Sequence, residues 1–161
     1  MKTKTIITEL NQEDLVDLLC TATYGSSWLE CNAPDREGLD VTEQDCLEDV
    51  WAKALLAGKK IECIDHYAEG EHYGPNENYA IDPDDESCEY TIGLEDIING
   101  LQKCMDGTFK HGDDEYGVRD VKWMKKCFAH FSDPEQGRME MDNPEAEALM
   151  QVIMFGELIY G

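Results

Sequence analysis

The chain has 161 residues, with 36 Asp and Glu against 13 Lys and Arg, and a formal net charge of −23. This balance argues against direct DNA or RNA binding and against docking on anionic membranes; basic protein surfaces are the natural partners, reached by steered, salt-sensitive association. A hydrophobic content of 42% suffices for one core, so a single domain over residues 1–161 is expected, with an acidic loop inserted at about 66–86.

Residues 4–8 (KTIIT) predict a short strand. Asn11 is a good N-cap, and Gln12, Glu13 and Asp14 suit a first helical turn. Leu15, Leu18, Leu19 and Ala22 follow at helical spacing, and Gly25-Ser26-Ser27 ends the helix. Residues 26–41 read as loop, with Trp28 anchored on the core. Thr42 caps a second helix, with Asp45 at the capping-box position. Its stripe is Leu47, Val50, Trp51, Ala54 and Leu55; Gly58 stops it, with Lys53, Lys59 and Lys60 near its negative end.

Residues 60–65 (KIECID) alternate and predict a strand, and 87–92 (SCEYTI) predict the strand returning beside it. The insertion between them makes a long acidic hairpin loop. Leu94, Ile97, Ile98, Leu101 and Met105 define a third helix ending near Gly107. A second acidic loop spans 107–117, and Val118, Val121, Met124 and Phe128 place a fourth helix at about 118–131. After a loop at 132–142, Asn143-Pro144 starts a fifth, with Pro144 at N1 and Ala146, Leu149, Met150 and Ile153 facing inward. Gly156 stops it, and Glu157–Tyr160 closes as an edge strand. The expected fold is α+β, with about five helices and a small antiparallel sheet of three or four short strands.

The charge is unevenly placed. Between Lys60 and Lys103 there is no Lys or Arg, while 12 carboxylates fall there. A globule of this length is about 40 Å across, and duplex DNA of that length carries about 24 charges. The match points to a partner-binding face built from Asp82, Asp84, Asp85, Glu86 and Glu89, joined by Asp113, Asp114 and Glu115. The plainer reading is a solvated coat that keeps the chain soluble. Calcium is a poor fit, because neither acidic run has the glycine and distant glutamate of an EF-hand. Cys63, His66 and His72 lack the spacing and the fourth ligand of a zinc site. His66-Tyr67 and His72-Tyr73 read as contact residues of an interface, which admits a homodimer.

Seven cysteines without C-x-x-C spacing read as reduced thiols of a cytosolic protein, with Cys20, Cys46, Cys104 and Cys127 on or near helix stripes. The opening MKTKTIITEL lacks the apolar stretch of a signal peptide, and no run approaches 18 apolar residues. No nucleophile elbow, zinc-protease motif, P-loop or dinucleotide fingerprint occurs, so neither catalysis nor a cofactor is expected. Arg119, Lys122 and Lys126 share one face of the fourth helix, beside Lys125. They serve intramolecular pairing or, alternatively, contact RNA or an acidic partner.

The opening ITELNQEDLVDLLCTATYG and the closing EAEALMQVIMFGELIYG resemble a family of small acidic proteins encoded by phages and prophages of gut Firmicutes. The resemblance extends through the helix and edge strand of Leu47–Ile64, through Leu94, Glu95 and Gly100, and into Phe155, Gly156, Glu157, Ile159 and Gly161. The insertion at 66–86 departs from the family pattern. No catalytic residue is transferred. The resemblance implies a phage product acting in the bacterial cytoplasm. Small acidic phage proteins without enzyme motifs include anti-CRISPR proteins and antirestriction DNA mimics. The implied partner is therefore a host nucleic-acid-binding protein, a Cas effector or a restriction enzyme. The alternatives are a phage accessory or assembly protein and a small metal-binding protein.

Overall fold

Among the described residues, single helices alternate with short strands over residues 12–65, and a helix near the C-terminus is buried on all sides. In this computed structural model, residues 10–111, 123–124 and 142–160 are described. The strand expected at 4–8 lies outside them. So do Asp113, Asp114 and Glu115, the Arg119/Lys122/Lys126 face with Lys125, Cys127, and the fourth helix except Trp123 and Met124, which are helical.

Helix α1 (Gln12–Thr23) starts where the sequence places it. Asn11 Oδ1 accepts from Asp14 N at 2.8 Å, and Asp14 Oδ2 accepts from Asn11 N at 3.1 Å, a reciprocal capping box. Leu15, Leu18, Leu19 and Ala22 are fully buried. Strand β1 (Leu29–Cys31) lies inside the segment expected to be loop, directly after the buried Trp28. Helix α2 (Leu47–Leu56) begins later than Thr42. Asp45 does accept from Thr42 N at 2.8 Å, but that bond closes a separate turn. The helix is started by Cys46, whose backbone N–H and thiol both reach Asp49. Cys46 is exposed there rather than on an apolar stripe, and Leu47 is also exposed.

Strands β2 (Ile61–Asp65) and β4 (Cys88–Ile92) pair antiparallel, Cys63 opposite Tyr90, as their alternation predicts. Strand β3 (Tyr79–Ile81) is an element the sequence reading missed; it forms within the insertion and pairs with the outer side of β4. The sheet order is β1-β2-β4-β3, all antiparallel. Helix α3 (Leu94–Asp106) buries Ile97, Gly100, Leu101 and Cys104 and ends at a left-handed Gly107.

The last helix, α4 (Asn143–Phe155), has Asp142 at its N-cap position with no side-chain cap bond, so Asn143 rather than Pro144 takes N1. Its burial is not one stripe: every residue from Ala148 to Phe155 is buried, the mark of a helix enclosed on all sides. Helix α3 crosses it in near-backbone contact at Gly100, where a Cβ would fall 2.4 Å from Ile153 Cγ1. At Gly74 (φ +80°) a Cβ would fall 2.0 Å from the Phe155 carbonyl oxygen, so the insertion presses on the end of α4. The closing strand is shorter than expected. Strand β6 (Glu157–Leu158) pairs in parallel with β5 (Lys110–His111), apart from the main sheet. Beyond it, the buried Gln151 acts as a strand partner: its Oε1 accepts from Ile159 N and Tyr160 N, both at 2.8 Å, and its Nε2 donates to Tyr160 O at 3.2 Å. Among the described residues no helix is long and apolar enough to cross a membrane.

Phe155 is ringed by Trp28, Tyr73, Tyr90 and Tyr160, with ring centroids 5.3–6.0 Å away. Phe155→Ala is expected to cost about 3–5 kcal/mol in urea unfolding. Gly70 shares Gly74's left-handed backbone, but nothing lies within 4 Å of its Cβ position. Gly74→Ala is therefore expected to destabilise clearly more than Gly70→Ala, which meets only the backbone penalty of about 1–2 kcal/mol. Equal effects would mean that the close approach to Phe155 does not exist.

Candidate partner-binding face

Side chains alternate across a strand, so a sheet with one face on the core must present the other. Here the inward set is Leu29, Cys31, Ile61, Cys63, Asp65, Cys88, Tyr90 and Ile92, all buried. The outward set includes Glu30, Glu62, Ile64, Glu89 and Thr91. Register places Glu30 opposite Ile64, Ile64 opposite Glu89 and Glu89 opposite Ala80, with Glu62 opposite Thr91. Three glutamates therefore share one open face. Burial and the neighbouring Glu62 both push the Glu89 carboxyl above its ordinary value.

The β3–β4 turn adds the remaining acids. Asp82 Oδ1 accepts from Asp84 N at 2.9 Å and Asp85 N at 3.4 Å; Asp82 O accepts from Glu86 N at 2.8 Å and Asp82 N donates to Ser87 O at 3.0 Å. Pro83 fits this turn, which Glu86 closes in the left-handed region at φ 59°. The Asp82 carboxylate is thus spent on the turn, while Asp84, Asp85 and Glu86 are exposed. The turn is tied back by Gly70 N donating to Glu86 O at 2.7 Å. His66 joins hairpin and sheet: its Nε2 lies 2.7 Å from Glu30 Oε2 and its Nδ1 3.7 Å from Asp85 Oδ2.

Five of the expected residues, Asp82, Asp84, Asp85, Glu86 and Glu89, thus lie on one hairpin. Among the described residues none of them pairs with a lysine or arginine. Two lysines that precede the insertion are occupied elsewhere. Lys53 Nζ sits 2.9 Å from Asp45 Oδ2, and Lys59 Nζ donates to the carbonyls of Asp35 and Glu37. Glu30 and Glu62 were missed as members of the face. Glu62 was legible in the alternation of KIECID, whereas Glu30 depends on a strand too short to show a period.

Two buried clusters hold the face in place. Asp65 is fully buried; its Oδ2 accepts from Tyr160 OH at 2.7 Å and its Oδ1 from Tyr67 N at 2.9 Å. Burial raises the Asp65 carboxyl, and these two bonds oppose the rise. The thiols of Cys31 and Cys63, opposite each other on β1 and β2, lie 3.2 Å apart. Among the described residues no three His, Cys, Asp or Glu side chains converge as a metal site.

Asp17, Asp65 and Glu89 are all raised, burial being the largest cause at each. A carboxyl raised on folding binds its proton more tightly in the native state. Stability therefore falls as pH rises from the unfolded carboxylate value through the raised native one. The melting temperature is expected to be higher near pH 5 than at pH 8, and added salt at pH 8 is expected to recover part of the difference by screening. A melting temperature that rises with pH across that interval would contradict this. The chain matches no protein-family model, no curated protein and no solved structure.

Proposed function

We propose that the chain is a phage-encoded, stoichiometric inhibitor of a host defence nuclease, acting in the bacterial cytoplasm on a Cas effector or a restriction enzyme. The inhibitor holds its acidic hairpin and outward sheet face against the basic channel that would otherwise take nucleic acid. The observation that supports this is the set Glu30, Glu62, Asp84, Asp85, Glu86 and Glu89, carried by one sheet and its turn without a paired lysine or arginine among the described residues. Exposed charges paired with bases would attract little. Of this set only Glu30 and Asp85 meet a base, His66; the other carboxylates keep their field for a partner, raising its association rate and making binding salt-sensitive. Nucleases that hold a heteroduplex or a displaced strand present such basic channels. The reading needs no catalytic group and no cofactor. Asp113, Asp114 and Glu115 are proposed to contribute to partner binding as well.

The test is a competition assay in which the purified protein is titrated against Cas effectors and restriction enzymes while DNA binding and cleavage are followed at two salt concentrations. Near-stoichiometric, salt-sensitive inhibition of one enzyme is expected. The combined change Asp82→Asn, Asp84→Asn, Asp85→Asn, Glu86→Gln and Glu89→Gln should weaken it by about a hundredfold or more, as close charge pairs at such interfaces are each worth about 1.5 kcal/mol or more. Undiminished inhibition by that variant would remove the hairpin from the reading. No inhibition of any enzyme would leave the charge as a solubilising coat.

A further inference from the structure

Strand β3 is the outer strand of the sheet, and among the described residues no strand pairs with its far side. Two bonds bracket its ladder: Thr91 N to Asn78 O and Asp82 N to Ser87 O, each 3.0 Å. Bonded and non-bonded pairs alternate in an antiparallel ladder. Asn78/Thr91, Ala80/Glu89 and Asp82/Ser87 are therefore the bonded pairs. The N–H and C=O groups of Tyr79 and Ile81 consequently point away from the sheet. Both residues are 40% exposed.

Protein edges are usually blunted by lysine, proline or a bulge. This strand, Tyr79-Ala80-Ile81, has neither lysine nor proline, and it is flanked by Glu77 on one side and by Asp82, Asp84, Asp85 and Glu86 on the other. At its N-terminal end lies an open cleft of about 620 Å³ lined by His72, Gly74, Pro75, Glu77 and Tyr79. The His72 ring stacks on Tyr79 with centroids 3.7 Å apart and planes within 5°. A flat π surface beside a carboxylate fits a guanidinium or an ammonium group. A second copy of the chain brings the same negative edge and the same −23 charge, which opposes self-pairing.

We propose that β3 is a strand-addition site for an extended basic segment of a partner protein, which pairs with Tyr79 and Ile81 and places an arginine or lysine side chain in the cleft between Tyr79 and Glu77. This rests on the reading of the partner as basic and names the way it is held. Main-chain bonds supply affinity in such complexes, and alternate side chains supply selectivity.

The probe is a fluorescein-labelled nonapeptide of alternating arginine and valine, read by anisotropy against the full chain. It is compared with the same peptide N-methylated at alternate residues, which keeps its charge but loses one edge of donors. Ile81→Pro removes one outward N–H and leaves the β4 ladder bonds in place. The proposal expects Ile81→Pro to weaken binding roughly tenfold or more and the N-methylated peptide to bind as weakly or more weakly. The hairpin-neutralised variant should also bind less. If neutralisation abolishes binding while Ile81→Pro and the methylated peptide bind as before, the acidic face stands and strand addition falls. If neither change matters, both readings fall. If the protein sediments as a dimer that Ile81→Pro dissociates, the occupant is a second copy and the proposal is overturned. If Ile81→Pro does not fold, the methylated peptide decides alone.

Discussion

The fold depends on one helix, α4, being enclosed on every side. A chain that repels itself needs concentrated apolar burial to remain compact. Here that burial is gathered at residues 146–155, where α1 and α3 pack and where α3 comes within near-backbone distance at Gly100. Phe155, at the end of the helix, passes the same contact to Tyr90 on the sheet, to Trp28 before β1 and to Tyr73 in the insertion. Gln151 and Asp65 then fasten the final segment with buried hydrogen bonds. The arrangement commits one face of the sheet to the core and leaves the opposite face for charge.

That division explains why carboxylates gather where they do. Outward positions of β1, β2 and β4 are exposed or half-buried and, apart from Ile64, carry polar or charged residues, and the β3–β4 turn uses aspartates as ordinary turn residues. Structure alone therefore tolerates acids at these sites. It does not demand that basic residues be kept out of them, and the absence of lysine and arginine from 61–102 is what separates this face from an ordinary soluble surface.

The parts legible in the sequence were those fixed by local chemistry. The Asn11 cap, the α1 stripe and the KIECID and SCEYTI alternation each need only a few neighbouring residues, and each matches its element. Elements set by distant contacts were not legible. β1 and β3 are three residues each, too short for a period, and exist because β2 and β4 offer them an edge. The Thr42/Asp45 pattern was real but formed a turn, since the helix beyond it starts from Asp49 bonding Cys46. The enclosed character of α4 was written in LMQVIMF, which a single-stripe reading passes over. At the candidate face, the clustering of Asp82–Glu86 with Glu89 followed from sequence proximity. The addition of Glu30 required a strand register that no local pattern carries.

On the proposed function, the negative charge is organised into one recognition surface rather than spread as a coat. The most direct measurement is an amide chemical-shift map of the isotope-labelled chain titrated with deca-lysine at physiological salt. The account predicts that saturable shifts concentrate on residues 79–86, on Glu89 and on the outward positions Glu30, Glu62 and Thr91. Shifts distributed over every acidic stretch, including 35–49 on the other side of the sequence from the insertion, would contradict it.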